Sequence, residues 1–180
     1  MVKWCPGTRR YADGQSDSPG ERAARLRCRY LSGYQASLEA LRLHPEAFAS
    51  SHEAEAAEPL DRFRDRLARG GRFGGLVDER LVGVAGFFGH ETAWHRHRGV
   101  LVGMYVREPE RGAGLADAIV NALIDHARAR VELLQLSVAT TNGRAIRFYE
   151  RMGFRTYATE PRALKVDGRY IDEFLMARLL

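Results

Sequence analysis

The sequence of 180 residues predicts a single domain of the α/β (α+β) class, in which helices cover both faces of a mixed, mostly antiparallel sheet. Two observations lead to this prediction. Antiparallel strands come first along the chain, and a strand–helix–strand–helix–strand unit follows them. The composition, with 45% hydrophobic residues, is that of a globular protein, and a chain of this length can bury a full core.

The first part of the chain begins with an irregular stretch. Residues 1–22 are rich in Gly, Ser, Pro and charged residues, so we expect a loose arm ahead of a domain over residues 23–180. A short strand is predicted over Arg25–Tyr30. Two helices follow, one over Ser32–Leu43 and one over Pro59–Arg69, where apolar residues recur at helical spacing.

The later elements are predicted from alternation, helical spacing and turn residues. Phe73–Val77 and Leu81–Gly89 are predicted to form a hairpin, and Gly99–Val106 a central strand. Leu115–Arg128 has a helical pattern, and its inward-facing residues are predicted to be Leu115, Ala118, Ile119, Ala122 and Leu123. Three further strands are predicted over Leu134–Val138, Phe154–Tyr157 and Ile171–Arg178.

A glycine-rich turn, Arg111-Gly112-Ala113-Gly114-Leu115-Ala116, links the central strand to the helix. The first N–H groups of a helix have no partner inside it and the helix dipole favours negative charge there, so this turn is a candidate phosphate site. The P-loop pattern is absent because the chain has no Gly-Lys dipeptide. Asp117 stands where the dinucleotide fingerprint requires its third glycine. An ordinary strand-to-helix turn is the alternative for this motif alone.

A second motif follows the strand over Leu134–Val138. Asn142 is a good N-cap residue, and Gly153 suits the left-handed position just beyond a helix C-terminus. Between them one helical face is apolar and consists of Ala145, Phe148, Tyr149 and Met152. A helix is therefore predicted between Asn142 and Gly153.

The two motifs resemble those of the GCN5-related N-acetyltransferases. The pattern Gln/Arg-x-x-Gly-x-Gly/Ala of that family's pyrophosphate loop is matched by Arg111, Gly114 and Ala116. The segment 142–154 is similar to the family's second acetyl-CoA segment, Asn-x-x-Ala, then Tyr after three residues and Gly-Phe after three more. The resemblance covers residues 25–178. It implies a fold in which the central strand and the next parallel strand splay apart around the pantetheine arm.

The resemblance also implies acetyl-CoA as co-substrate and no metal. Backbone groups of the central strand would hold the pantetheine and polarise the thioester carbonyl, while the glycine-rich turn would bind the pyrophosphate. The implied cofactor-binding residues are Met104, Tyr105, Val106, Arg111, Gly112, Ala113, Gly114, Leu115, Ala116, Asn142, Ala145, Phe148 and Tyr149.

Acetyl transfer to an amine requires two proton movements. An alkyl ammonium, whose pKa is about 10.4, must lose a proton before its nitrogen can attack. Glu91 is the candidate base, with His90, Asp172 and Glu173 as alternatives. The leaving thiolate must gain a proton, and Tyr149 is the candidate general acid; packing beside the cofactor is its alternative role. A fixed backbone N–H on the central strand would best meet the oxyanion.

The predicted function is the direct transfer of an acetyl group from acetyl-CoA to a primary amine of a small molecule, peptide or protein, within a ternary complex. One alternative is a non-catalytic acyl-CoA-binding module, and another is an acetyltransferase acting on an RNA-linked amine. The expected partners are acetyl-CoA and an amine acceptor, and we expect a monomer or homodimer.

Composition narrows the remaining possibilities. The net charge is +5, but the arginines are dispersed, so a nucleic-acid partner is not expected. No apolar run is long enough to predict a membrane span. Cys5 and Cys28 are too few for a disulfide scaffold or a zinc site, and His95 and His97 lack a convincing third ligand. Reduced thiols fit a cytoplasmic protein.

Overall fold

The computed structural model describes residues 2–4, 32–68 and 71–180. The strand predicted over Arg25–Tyr30 and most of the arm predicted over residues 1–22 lie outside this part of the chain. The described residues form one seven-stranded sheet with helices on both faces, which confirms the predicted fold class. The strands are β1 (Val2–Trp4), β2 (Arg72–Val77), β3 (Arg80–Gly89), β4 (Arg98–Val106), β5 (Leu133–Ala139), β6 (Arg155–Val166) and β7 (Arg169–Leu179).

The sheet has the order β1-β2-β3-β4-β5-β7-β6. All neighbouring strands pair antiparallel except β4 and β5, which are parallel. The helices are α1 (32–43), α2 (His52–Ala57), α3 (Leu60–Ala68), α4 (Leu115–Arg128) and α5 (Gly143–Arg151). Short 3-10 turns occupy Pro45–Ala47 and Glu108–Glu110.

Several elements differ from the predictions. Val2–Trp4, within the predicted loose arm, forms β1 by pairing with the open edge of β2. Helix α2 was not predicted because its Ala- and Glu-rich sequence has no apolar stripe. Strand β6 extends far beyond the predicted Phe154–Tyr157, since it is the exposed edge of the sheet and needs no alternation of apolar residues.

The parallel pair β4 and β5 is joined over only a short length. Arg98–Val100 pairs with Leu133–Gln135, whereas residues 101–106 of β4 have no partner in β5. On the other side of β5, pairing with β7 continues through Ala139. The two parallel strands therefore separate after Val100, and the splayed central pair is as predicted.

Strand β4 also carries a bulge at the start of this separation. Gly86 of β3 pairs with Val102, but Val84 pairs with Tyr105, so β4 contains one residue more than β3 across this step. Gly103 has φ +60, a conformation that L side chains rarely adopt. The bulge redirects the backbone of β4 where it has no partner in β5.

Helix α4 packs across β1–β4 on one face of the sheet. Its buried residues are Ile119, Val120, Leu123, Ile124 and Ala127. The predicted inward position of Ala118 is wrong: Ala118 is exposed, because the buried stripe is rotated toward Val120 and Ile124. Ile119 occupies a depression over Gly75 and Gly83, where a Cβ on either glycine would lie 2.7 Å from the Ile119 Cδ1.

The opposite face of the sheet is covered by α1 and α3. Ala36, Ala40 and Leu41 of α1 are buried, and Phe63 of α3 meets the ring of Tyr34 edge-on at 5.4 Å between centroids. This face lacks the tight helix-on-sheet contact that α4 makes. A cavity of about 730 Å³ separates α1–α3 from strands β2–β4.

Candidate active site

The glycine-rich loop, residues 111–116, joins β4 to α4 with its backbone open to solvent. Gly112 and Gly114 have φ values of +86 and +81, and a Cβ at either position would meet no atom within 4 Å. No hydrogen bond joins the backbone N–H groups of residues 112–117 to the carbonyl of another described residue. These free donors at the positive end of α4 can bind a diphosphate group.

Arg111 holds the loop against β4. Its Nε donates to the Val106 carbonyl at 2.8 Å, and its Nη2 lies 3.1 Å from the His44 Nε2. The guanidinium also lies over the Tyr105 ring, 5.9 Å from its centroid. The side chain therefore anchors the loop, and a direct contact with a phosphate stays a prediction.

Tyr105 connects the central strand to α1. Its hydroxyl donates to the Glu39 Oε1 at 2.9 Å, and Arg107 donates to the same carboxylate through Nε at 3.1 Å and Nη2 at 2.8 Å. Burial would raise the pKa of Glu39, but the hydrogen bonds from Arg107 and Tyr105 outweigh it, and the pKa lies below its usual value. The pKa of Tyr105 is raised by burial and by the Glu39 carboxylate. The Tyr105 side chain is thus bonded to α1, which leaves the backbone of Tyr105 to serve the cofactor.

The predicted second motif folds as expected. The Asn142 side chain accepts a hydrogen bond from the Ala145 N–H at 3.1 Å and caps α5, and Gly153 has φ +87 just beyond the helix. Ala145 and Phe148 pack partly buried against the core. The capping bond uses one lone pair of the Asn142 side-chain oxygen, so the second lone pair and the amide NH₂ are left for a ligand.

Tyr149 lies in the core between Phe148 and Phe154. The residue is 7% exposed, and its ring centroid lies 5.3 Å and 5.8 Å from those of these two neighbours. No hydrogen bond joins its hydroxyl to another described residue, and burial raises the pKa of this phenol. The hydroxyl is therefore protonated at neutral pH and has its donor capacity free, so the acid role stays a prediction.

The candidate bases lie in different places. Glu91 and His90 are at the turn between β3 and β4, beyond the Gly89–Gly99 pair, and Glu91 is exposed. Gly99 lies four residues before Gly103, which is roughly 13 Å of strand, so Glu91 is not brought to the bulge.

The two remaining candidates are on β7. Asp172 is exposed, and its carboxylate accepts from the Arg162 backbone N–H at 2.7 Å. Glu173 is 8% exposed and pairs with Ala139, at the end where β5 has separated from β4. Asp172 and Glu173 thus both lie at the open end of the splayed pair, and Glu173 is the buried one of the two.

The cavity opposite α4 adds residues that sequence analysis did not single out. It is bordered by Val102 and Gly103 of the bulge and by Arg72, whose side chain is partly buried. Glu55 and Arg66 also line it and form a two-bonded ion pair at 3.0 and 2.7 Å. No local motif could have identified Arg72, because its position depends on the pairing of three strands.

Among residues 2–4, 32–68 and 71–180, no group of three His, Cys, Asp or Glu side chains is arranged to hold a metal ion. In the same part of the chain, no helix is long and apolar enough to cross a membrane.

Comparisons with known proteins agree with this geometry. Residues 36–154 match the model of the acetyltransferase (GNAT) family. Two curated relatives are L-methionine sulfoximine/L-methionine sulfone acetyltransferases from Pseudomonas paraeruginosa and Pseudomonas aeruginosa, each 31% identical over 70 residues. These matches cover 38% of this chain and span 41% of the length of each relative.

Solved structures share the fold at low sequence identity. An N-acetyltransferase from Staphylococcus aureus superimposes with a TM-score of 0.72 at 12% identity, covering 99% of this chain and 97% of its own. A putative acetyltransferase from Salmonella typhimurium, solved with its cofactor acetyl-CoA, gives a TM-score of 0.70 at 19% identity and covers 100% of this chain and 93% of its own. The family predicted from the two motifs is confirmed, and the chain belongs to the acetyltransferase (GNAT) family.

Proposed function

We propose that this protein transfers an acetyl group from acetyl-CoA to the primary amine of an acceptor, directly within a ternary complex. The observation that carries the proposal is the opening between β4 and β5, which begins after Val100 on the side where β4 leads into the glycine-rich loop. An opening of this kind beside a cluster of free N–H groups suits a ligand with a narrow arm and a diphosphate.

The residues present fit acetyl-CoA, which would supply the acyl group as a reactive thioester. The free N–H groups of residues 112–117 would bind the pyrophosphate with help from the α4 dipole. Backbone groups of Met104, Tyr105 and Val106 would hold the pantetheine. Donors near the bulge at Gly103 would stabilise the negative charge that develops on the carbonyl oxygen.

The chemistry needs a proton acceptor and a proton donor. A bond forms between the acceptor nitrogen and the carbonyl carbon while the carbon–sulfur bond breaks, so the nitrogen loses a proton and the thiolate gains one. We assign the donor role to Tyr149, whose hydroxyl makes no hydrogen bond to another described residue and so has its proton available for the thiolate. For the base, two assignments compete: Glu91, acting through a relay of water molecules, and Glu173. The variants Glu91→Gln and Glu173→Gln distinguish them, because only the variant that lacks the base should lose turnover.

The acceptor is proposed to be a small molecule. The curated relatives are named for acting on L-methionine sulfoximine and L-methionine sulfone, which are small amines, and a cavity of about 730 Å³ beside the bulge is of a size that holds a small molecule. A cytoplasmic location and a monomeric or homodimeric state stay predictions.

The test is release of free thiol from acetyl-CoA in the presence of a panel of amines, with coenzyme A affinity measured in parallel by calorimetry. We expect transfer to at least one small amine. Coenzyme binding without transfer to any amine, peptide or RNA would favour the non-catalytic module. Transfer only to aminoacylated RNA, with binding that weakens steeply as salt rises, would favour the RNA-linked alternative.

A further inference from the structure

The guanidinium of Arg72 lies over β3 and lines the cavity. Arg72 begins β2 and pairs with Gly86 of β3, which in turn pairs with Val102 of β4. A Cβ on Gly86 would lie 2.9 Å from the Arg72 Cζ and closer still to its Nη1. The absence of a side chain at residue 86 therefore creates the space in which the guanidinium lies, and the side chain extends from β2 toward β4.

Among the described cavity residues, Arg72 is the cation with no hydrogen-bonded or ion-paired partner; the Glu55 carboxylate attracts it only from beyond ion-pair distance. Within the described chain its side chain makes no ion pair or hydrogen bond, whereas Arg66 pairs with Glu55 and also approaches Glu58 at 3.4 Å. The remaining charged lining residue, Glu79, is in the turn at the opposite end of β2. Burial and the nearby charge of Arg66 lower the pKa of Arg72, and the attraction of Glu55 offsets only part of this shift.

A partly buried cation with no hydrogen-bonded partner is unfavourable unless a ligand supplies the missing acceptors. Desolvation of a guanidinium costs free energy that only an anion or several acceptors offset. Arg also presents parallel N–H groups that match the two oxygens of a carboxylate. The Arg72 guanidinium is therefore the group of the cavity lining that is best suited to a carboxylate, and it lines the same cavity as Val102 and Gly103 of the bulge.

The distance from this cation to the proposed reaction centre is short. Neighbouring strands lie about 4.8 Å apart, so a guanidinium over Gly86 is about one strand spacing from Val102, and Gly103 is the next residue. An acceptor bridging the two positions must carry its amine within a few bonds of its anion. Amino acids, in which one or two carbons separate the amine from the carboxylate, meet this requirement.

We propose that Arg72 binds a carboxylate of the acceptor, so that the substrates of this protein are small amino acids acetylated on the amine next to that carboxylate. This inference rests on the proposed acetyl transfer and adds the substrate class and the residue that selects it. Gly86 supports the selection by leaving room for the guanidinium.

The test compares each amino acid with its own carboxamide, which keeps the amine and loses the negative charge. We expect the unaltered protein to prefer the amino acid in kcat/KM. Arg72→Met keeps much of the side-chain volume, and we expect it to lower kcat/KM about 10- to 100-fold more for the amino acid than for the carboxamide, as for a lost charge-assisted hydrogen bond. Most of this loss should fall on KM.

Two further variants separate recognition from folding. Gly86→Ala leaves Arg72 in the chain but fills the space of its guanidinium, so it should reduce the same preference for the carboxylate. Arg80→Met changes an exposed arginine on the same hairpin and should leave the preference unchanged. Calorimetric titration of the amino acid into protein saturated with coenzyme A gives a readout that does not depend on turnover.

The outcomes distinguish this inference from the proposed function. If some amines are acetylated but amino acids are no better than their carboxamides, the assignment of Arg72 is wrong while acetyl transfer stands. An Arg72→Met protein that is folded and keeps its full preference contradicts the inference in the same way. If no amine is acetylated and the amino acid does not bind, the proposed function itself fails.

Discussion

Replacing Glu39 by Gln tests whether an ionised carboxylate joins α1 to the central strand. The substitution keeps the shape of the side chain but removes its charge and turns one acceptor into a donor facing Arg107. Three hydrogen bonds at 2.9, 3.1 and 2.8 Å are affected. A hydrogen bond to a charged group contributes about 1.5–3 kcal/mol to stability. Because all three bonds share one carboxylate, their contributions do not simply add.

Solvent reduces the expected effect. The Glu39 and Arg107 side chains are 26% and 30% exposed, so we expect a loss of about 2 kcal/mol in the free energy of unfolding at pH 7. For a chain of this size that loss lowers Tm by about 4–8 °C. Glu108→Gln, an exposed carboxylate close to Arg107 in the sequence, is the matched control and should leave Tm unchanged.

The pH dependence makes the Glu39 prediction specific. The folded-state pKa of Glu39 is lowered, so its ionised form stabilises the fold above the unfolded-state pKa of about 4.3, and this stabilisation is lost as pH falls through the folded-state pKa. The difference between the protein and Glu39→Gln should therefore shrink as pH falls below about 4. Urea unfolding at a series of pH values measures it. An equal difference at neutral and acid pH would refute the electrostatic reasoning and indicate a loss of packing alone.

Three further predictions concern the candidate site. Tyr149→Phe should lower kcat by about 100-fold or more without changing coenzyme A affinity, and unchanged turnover at all pH values would exclude Tyr149 as general acid. Asn142→Ala removes the cap of α5 and should reduce the free energy of unfolding by about 1 kcal/mol in denaturant titrations, whereas Asn142→Asp should retain most of it. Arg111→Glu should weaken coenzyme A binding in calorimetry, because it frees the loop from Val106 and adds negative charge beside the phosphate donors; unaltered affinity would contradict the loop assignment.

The parts of the fold that the sequence predicted best depend on local chemistry. Helix α4 begins and ends where predicted, at Leu115 and Arg128, and Asn142 and Gly153 bound α5 through capping interactions that involve only nearby residues. The prediction of which α4 residues face the core was less accurate. Ala118 fits helical periodicity, but the direction of the helix axis over the sheet decides which flank of the stripe is buried.

The parts that could not be predicted depend on contacts between distant segments. Glu39 and Tyr105 are 66 residues apart, and no spacing rule links a carboxylate on α1 to a hydroxyl on β4. Likewise, nothing in the local sequence distinguishes Arg72 from other strand residues. Its place in the cavity depends on the pairing of β2, β3 and β4, which brings Gly86 and Val102 beside it. Glu91 was chosen as base because it follows a predicted strand, and the strand order then separated it from Glu173.

The contact of Ile119 with Gly75 and Gly83 has a consequence for the affinity of the glycine-rich loop. Because α4 is seated in a depression of the sheet, with Leu115 of its first turn also touching Gly75, the N-terminus of the helix has little freedom to shift. The phosphate donors are then preorganised, and the conformational entropy needed to align them is lost during folding rather than during binding. A larger side chain at Gly83 should therefore weaken coenzyme binding from beneath the helix, without touching the ligand.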